Sequence, residues 1–310
     1  MNEYIDKLIQ DDKLRLSVDK SKTFGFQLGD KWVGKDKVLI SGPCSVESRD
    51  MIIDWSQELK EVGVDAIRAG AYKPCTYPIR KEVNGWNEGM REEGLHDMID
   101  AKAECGLPMV SEIMDVKQIT NLSMDAIDVI QVGTRNFQNY SLLDEFGKLD
   151  KPILLQRGTW GTLDEILGAC ERILDGGNDK IAICLRGVVG MPSYRHIFPS
   201  TRWAPDLMMI PALQQFTNIP IIYDPSHATG YRDFVVPVSK GAMSMGADGL
   251  IVECHPNPTK SISDADQAIG LKELVEIKEV LNVWFYSNNG NSLYRIINRR
   301  ENSRRDIRWN

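Results

Sequence analysis

The chain has 310 residues, 42% of them hydrophobic and 26% charged, enough to bury one large core. Its formal net charge of -7 excludes a global field that would hold a nucleic-acid backbone or an anionic membrane, so an anionic substrate needs local arginines. No apolar stretch approaches the about 20 residues of a membrane span, and Met1 to Lys22 is polar and mixed in charge rather than signal-like, which predicts a cytoplasmic protein.

In chain order, residues 1–22 suggest a short polar helical lead with no capacity for its own core. Phe24 to Leu28 and Trp32 to Val33, separated by Gly29-Asp30-Lys31, predict a small hairpin that plugs one end of the main body. Together they form an N-terminal region, 1–37. From Val38 onward, short apolar strands alternate with amphipathic helical stretches, the pattern of parallel strands joined by crossover helices. Strands are expected at Val38 to Ser41, Ala66 to Ala69, Met109 to Glu112, Val129 to Val132, Ile153 to Gln156, Ile181 to Leu185, Ile219 to Tyr223 and Leu250 to Glu253. Helices are expected at Met51 to Val62, Thr162 to Leu174, Phe234 to Met245 and Asp266 to Asn282. Eight such units across about 250 residues fit an α/β fold of the closed (β/α)8 TIM-barrel type, here 38–282. No GxGxxG turn of a doubly wound sheet follows the first strand. The tail, 283–310, opens on Val283-Trp284-Phe285-Tyr286 and ends with arginines at 295, 299, 300, 304, 305 and 308. It reads as a C-terminal extension with an apolar start that packs on the barrel or a neighbouring subunit.

In a barrel, the residues after each strand face one site. Strand one exits into Gly42-Pro43-Cys44-Ser45-Val46-Glu47, and strand two carries Arg68 and exits toward Lys73, Cys75 and Arg80. Strand three ends at Glu112, strand four exits at Arg135-Asn136, strand five at Gln156-Arg157 and strand six at Arg186. Strand seven exits into Asp224-Pro225-Ser226-His227, and strand eight into Glu253, His255 and Asp264. Cys44, His227, Glu253 and Asp264 offer one sulfur, one nitrogen and carboxylate oxygens, a set suited to a borderline divalent ion such as Mn²⁺, Fe²⁺, Co²⁺ or Zn²⁺. Arg68, Lys73, Arg135, Arg157 and Arg186 supply positive charge for a substrate bearing phosphate and carboxylate groups. Taken singly, each has a plainer reading as packing, scaffold or salt bridge; their joint occurrence at successive strand exits favours a site. The six cysteines, Cys44, Cys75, Cys105, Cys170, Cys184 and Cys254, show no CxxC spacing, which argues against a disulfide framework. Cys105, Cys170 and Cys184 read as core.

Several stretches are recognisable together: Ser41-Gly42-Pro43-Cys44-Ser45-Val46-Glu47-Ser48, Arg68-Ala69-Gly70-Ala71-Tyr72-Lys73-Pro74, Val132-Gly133-Thr134-Arg135-Asn136-Phe137-Gln138-Asn139, Lys151-Pro152-Ile153-Leu154-Leu155, Asp224-Pro225-Ser226-His227, Glu253-Cys254-His255-Pro256-Asn257-Pro258 and Ser263-Asp264. In order and spacing they resemble the short type I 3-deoxy-D-arabino-heptulosonate 7-phosphate (DAHP) synthases, relatives of the 3-deoxy-D-manno-octulosonate 8-phosphate synthases. Arg135-Asn136-Phe137-Gln138-Asn139 is similar to the heptulosonate branch. The resemblance implies a metal-dependent, aldol-type condensation of phosphoenolpyruvate with an aldose phosphate, erythrose 4-phosphate or another aldehyde, releasing inorganic phosphate. It implies that Cys44, His227, Glu253 and Asp264 bind the metal and that Arg68, Lys73, Glu112, Arg135 and Arg186 surround phosphoenolpyruvate. Gln156 and Arg157 join them as substrate-binding candidates, and Cys44, Lys73, Asp224 and His227 are the candidate catalytic groups. The family is oligomeric, which implies a homo-oligomer, dimer or tetramer, in aromatic amino acid biosynthesis or a specialised route.

Two positions depart from the family pattern. Lys73-Pro74-Cys75-Thr76 stands where the family has an arginine third, and Gln156 stands where it has a lysine. Both remove positive charge, and the basic residues of the neighbouring loops, Arg80, Lys81 and Arg91 beside Trp86 in one and Arg195, His196 and Arg202 in the other, are the candidates to compensate. The alternative reading is a catalytically retired barrel that binds phosphoenolpyruvate or a partner as a regulatory or structural protein. Losing one charge-assisted contact costs about 2–4 kcal/mol, which slows chemistry without abolishing it, so the enzyme reading leads. With about 37 residues before strand one, no separate regulatory domain for aromatic amino acids is expected.

Overall fold

The computed structural model of the chain describes residues 3–74, 89–189 and 203–288. A two-stranded antiparallel hairpin, β1 (Phe26–Leu28) and β2 (Lys31–Val33), precedes eight parallel strands. These are β3 (Val38–Gly42), β4 (Ala66–Arg68), β5 (Met109–Glu112), β6 (Val129–Val132), β7 (Ile153–Gln156), β8 (Ile181–Leu185), β9 (Ile221–Tyr223) and β10 (Gly249–Glu253). They close a barrel in the order β10-β3-β4-β5-β6-β7-β8-β9, so the last strand seals against the first, with Glu253 opposite Gly42. The (β/α)8 architecture expected from the alternation is the one observed.

The strands are short aliphatic runs because a barrel strand is buried on both faces. Alternate side chains serve two cores. Leu39, Leu250 and Val252 point to the layer shared with the helices, whereas Val38, Ile40 and Ile251 join the barrel interior. That interior also takes Phe26, Leu28 and Val33, so the hairpin plugs the barrel, as its apolar residues suggested. Its turn is tighter than expected: Lys31 belongs to β2, leaving Gly29-Asp30, with Gly29 at φ 57 supplying the left-handed step. The lead, with its helix Glu3–Gln10, lies against the helix Leu163–Asp175. The Glu171 carboxylate there accepts from the backbone N–H groups of Arg15 (3.1 Å), Leu16 (2.7 Å) and Ser17 (2.8 Å).

Boundaries differ for identifiable reasons. β9 starts at Ile221 rather than 219, because Pro220 has no N–H to give the ladder; its carbonyl accepts from Ile183 N at 2.8 Å. The last helix spans Leu271–Asn288 instead of starting at Asp266. The residues before it are occupied in a bridge to the exit of β10: Ile269 N donates to Glu253 O and His255 N to Ile269 O, both at 3.0 Å. The same helix runs on past its expected end at Asn282. Cys75, Arg80, Lys81, Trp86, Arg195, His196, Arg202 and the tail from 289 lie outside the described residues. Among the described residues, no helix is long and apolar enough to cross a membrane.

Candidate active site

The carboxyl ends of β3, β9 and β10 deliver side chains to one point. Cys44 stands two residues beyond β3, Glu253 ends β10, and Asp264 sits in the loop that follows. One donor atom from each of Cys44, Glu253 and Asp264 lies within 4.8 Å of the other two, and Cys44 Sγ is 3.2 Å from Asp264 Oδ2. His227 belongs to the short helix Pro225–Thr229, which Asp224 caps by accepting from His227 N at 2.9 Å. That cap turns the imidazole inward, with Nε2 3.3 Å from Glu253 Oε1 and 3.7 Å from Asp264 Oδ2. Nδ1 is 2.7 Å from Asp224 Oδ2, which also accepts from Gln156 Nε2 at 2.8 Å.

Cations surround this group. Arg68 forms a buried ion pair with Glu253 Oε1, and Gln267 Nε2 donates to the other oxygen of the same carboxylate. Lys73 Nζ donates to Cys44 Sγ at 2.8 Å and to the Cys44 carbonyl at 3.0 Å. Arg186 Nη2 donates to the His227 carbonyl at 3.1 Å. Glu112, at the end of β5, has a buried Oε1 with no hydrogen-bond partner among the described residues, and exposed Arg135 stands on the adjacent 3-10 turn Thr134–Asn136. Arg157 is placed differently: its fully buried guanidinium donates to Asp206 Oδ2 at 2.7 Å and to the carbonyl of Arg186 at 2.8 Å. It supports Arg186 and the chain around Asp206.

Burial and charge oppose each other here. Burial, reinforced by Glu253 and Asp264, pushes the Cys44 thiol up to about 12 despite Lys73 and Arg68, so the metal-free chain carries a neutral thiol at this position. Burial alone would discharge His227, but Asp224 and Glu253 outweigh it and hold the ring above its ordinary value. Burial likewise works against the Glu253 and Asp224 carboxylates. His227 opposes it at both, joined by Arg68 and Lys73 at Glu253 and by Arg186 at Asp224, and together these contacts bring both below the usual range. Glu112 goes the other way: burial raises it and Lys73, Arg68 and Arg135 only partly compensate.

Gln267 and Asp206 were not legible as site residues in the sequence, and Ser226 stood in the strand-seven exit without a role. Ser226 Oγ accepts from Glu253 N at 2.9 Å, and Gln267 clamps the Glu253 carboxylate. Gln267 lies three residues past Asp264, and only the return of the loop past β10 brings it there. Arg68 and Lys73 place positive charge beside two acids and a neutral thiol crowded into one small volume. One sulfur, one imidazole nitrogen and carboxylate oxygens converging in this way suit a divalent cation, with Asp224 fixing the orientation of the ring. The rim can therefore hold a Lewis acid beside an anion cradle.

Similarity to known proteins runs through the same elements. The sequence model of the DAHP synthetase I family matches residues 15–285, from the N-terminal lead into the final helix. A phospho-2-dehydro-3-deoxyheptonate aldolase of Thermotoga maritima is 39% identical over 253 residues, 80% of this chain and 71% of that protein. A 2-dehydro-3-deoxyphosphooctonate aldolase of Desulfotalea psychrophila is 26% identical over 259 residues, 79% of this chain and 88% of that protein. The crystal structure of the T. maritima DAHP synthase superposes with a TM-score of 0.76 at 36% identity, covering 85% of this chain and 74% of that one. A truncated form of the T. maritima enzyme gives 0.75 at 34% identity, covering 85% of this chain and 92% of that one. The family model spans the whole barrel, and the T. maritima enzyme matches in both sequence and fold: the chain belongs to the DAHP synthetase I family and is a transferase of that type.

Proposed function

We propose that the protein condenses phosphoenolpyruvate with an aldose phosphate, in the first instance erythrose 4-phosphate, to give a 3-deoxy-ulosonic acid phosphate and inorganic phosphate. The observation that carries this reading is the single rim on which Cys44, Glu253 and Asp264 converge within 4.8 Å while Arg68 and Lys73 contact the same cluster. In the reaction, C3 of phosphoenolpyruvate bonds to the aldehyde carbon, a water oxygen adds at C2, and the bond from C2 to the bridging oxygen breaks to release phosphate. Arg68, Lys73, Arg135 and Arg186 hold the phosphate and carboxylate through fixed donors that need no rearrangement as charge moves. Arg157 acts through the Arg186 carbonyl as a positioning residue.

Cys44, His227, Glu253 and Asp264 would hold a divalent ion, Mn²⁺, Fe²⁺, Co²⁺ or Zn²⁺. Such an ion supplies Lewis acidity for the acceptor aldehyde or for water. His227 is kept in place by Asp224, which holds the proton on Nδ1 and leaves Nε2 to face the acids. Gln156, at the position of the family's lysine, donates to Asp224 and brings no charge to the substrate.

The test is to incubate metal-loaded protein with phosphoenolpyruvate and a panel of aldose phosphates and unphosphorylated aldehydes, following loss of enolpyruvyl absorbance and release of phosphate. Turnover with erythrose 4-phosphate or another member supports the reading. Silence across the panel, with phosphoenolpyruvate still bound, would favour a retired binding barrel.

A further inference from the structure

β10 and β3 are neighbours in the barrel, so the loops that leave them rise side by side. One carries Cys44 and the other Asp264, and a second set of contacts stitches them together beyond these two residues. Ser45 Oγ lies 2.7 Å from Ser263 Oγ, across 218 positions of sequence, and Ser45 is fully buried. Glu47 Oε1 accepts from Ile262 N at 3.0 Å and lies 3.4 Å from Ser261 Oγ. The same oxygen is 3.3 Å from Nε2 of buried His255, whose Nδ1 accepts from Asn257 N at 3.0 Å. Ser261 Oγ in turn donates to the Ser263 carbonyl at 2.7 Å.

Asp264 is the residue that this stitching serves. Its φ of 55 lies in the left-handed region, a strained conformation for a non-glycine residue that the surroundings must hold. Ser263, Ile262 and Ser261 immediately before it are the positions that Ser45 and Glu47 grip. Neither Ser45 nor Glu47 belongs to the proposed ligand set, and no step of the proposed reaction uses them.

We infer that Ser45 and Glu47 are positioning residues whose contacts with Ser261, Ile262, Ser263 and His255 hold Asp264 against Cys44 before a cation binds, and so set the cation affinity of the site. This rests on the metal reading above. It claims more than loop closure: the seam should govern affinity for the ion beyond any effect on the stability of the metal-free fold.

The probe is Co²⁺ titrated into metal-free protein, followed by thiolate-to-cobalt charge-transfer absorption and by competition with a chelator, with Cys44→Ala as the signature control. Ser45→Ala and Glu47→Ala are each expected to weaken Co²⁺ binding about 10- to 100-fold, the usual effect of losing an outer partner of a metal site. Metal-free Ser45→Ala should melt within about 3 °C of the parent, a small shift for a chain of this size. Glu47→Gln, which keeps an acceptor for Ile262 N, should recover most of the affinity lost in Glu47→Ala. Unchanged affinity in Ser45→Ala and Glu47→Ala, with a normal thiolate band, would overturn the inference and leave the metal reading standing. A weakening matched by an equal loss of metal-free stability would also overturn it. Absence of the band in the parent protein would refute the metal reading, and the inference with it.

Discussion

Gly133 closes β6 against Glu112, and replacing it with alanine tests the site through one methyl group. Its φ of -69 and ψ of 158 suit any residue, so Gly133→Ala adds no backbone strain and acts by contact alone. The new Cβ would stand 1.9 Å from Glu112 Oε1, 2.4 Å from Cδ and 2.8 Å from Oε2. To restore ordinary contact the carboxyl must retreat by about 1.5 Å. It is the free end of a side chain, so the fold should yield at the low end of the overpacking range, about 1 kcal/mol, or roughly 2–4 °C in melting temperature. Activity should suffer far more. A displacement of ~1 Å in a positioned group costs on the order of a hundredfold in rate, and Glu112 stands within the electrostatic reach of Lys73, Arg68 and Arg135. The assay is kcat/KM for phosphoenolpyruvate consumption beside a thermal melt, for Gly133→Ala, Glu112→Ala and the double variant. In the Glu112→Ala background the stability cost of Gly133→Ala should vanish while activity stays low. Retention of more than a third of parental activity in Gly133→Ala, or parental activity in Glu112→Ala, would refute the reasoning.

Gln156→Leu removes an amide donor to the buried Asp224 carboxylate and should cost about 1.5–3 kcal/mol by urea unfolding; an unchanged midpoint would show that His227 alone satisfies Asp224. Glu171→Ala strips the acceptor from three backbone N–H groups and should expose residues 3–22 to limited proteolysis while the barrel stays resistant, whereas an unchanged digestion pattern would mean that buried Ile5 and Leu14 suffice as anchors. Burial pushes Cys44 up to about 12 and also raises Cys105, Cys170, Cys184 and Cys254, so none of these five should be carboxymethylated in native, metal-free protein at about pH 8; peptide mapping that finds label on any of them would contradict this. Chelation of the divalent ion should lower stability by about 4 kcal/mol from a state with free metal at a thousand times Kd, and Cys44→Ala should abolish that difference. A chelator effect that survived Cys44→Ala would place the ion elsewhere.

Much of the architecture was legible in the residues. Runs such as Val129 to Val132 and Ile153 to Gln156 declare buried strands because a parallel barrel strand meets side chains on both faces, and this is a property of a few adjacent positions. The strand exits followed from the strands, so Cys44, Arg68, Glu112, Arg186, His227 and Glu253 could be collected before any coordinates. The final helix was misjudged at its start because Asp266 to Gly270 has a composition that tolerates helix, while Ile269 bonds to the backbone of Glu253 and His255 and the Asp266 carbonyl accepts from Arg232 N.

What local sequence determined was the succession of strands and helices and the residue types delivered to the rim, because periodicity and strand ends depend on near neighbours. Tertiary structure alone decided the partners. Closure of β10 on β3 sets Ser45 beside Ser263 and Glu47 beside Ile262, return of the loop brings Gln267 onto Glu253, and the direction of one buried side chain gives Arg157 to Asp206 and the Arg186 carbonyl. The physical reason is that such contacts join residues far apart in the chain, and their geometry exists only once the ring of strands has closed.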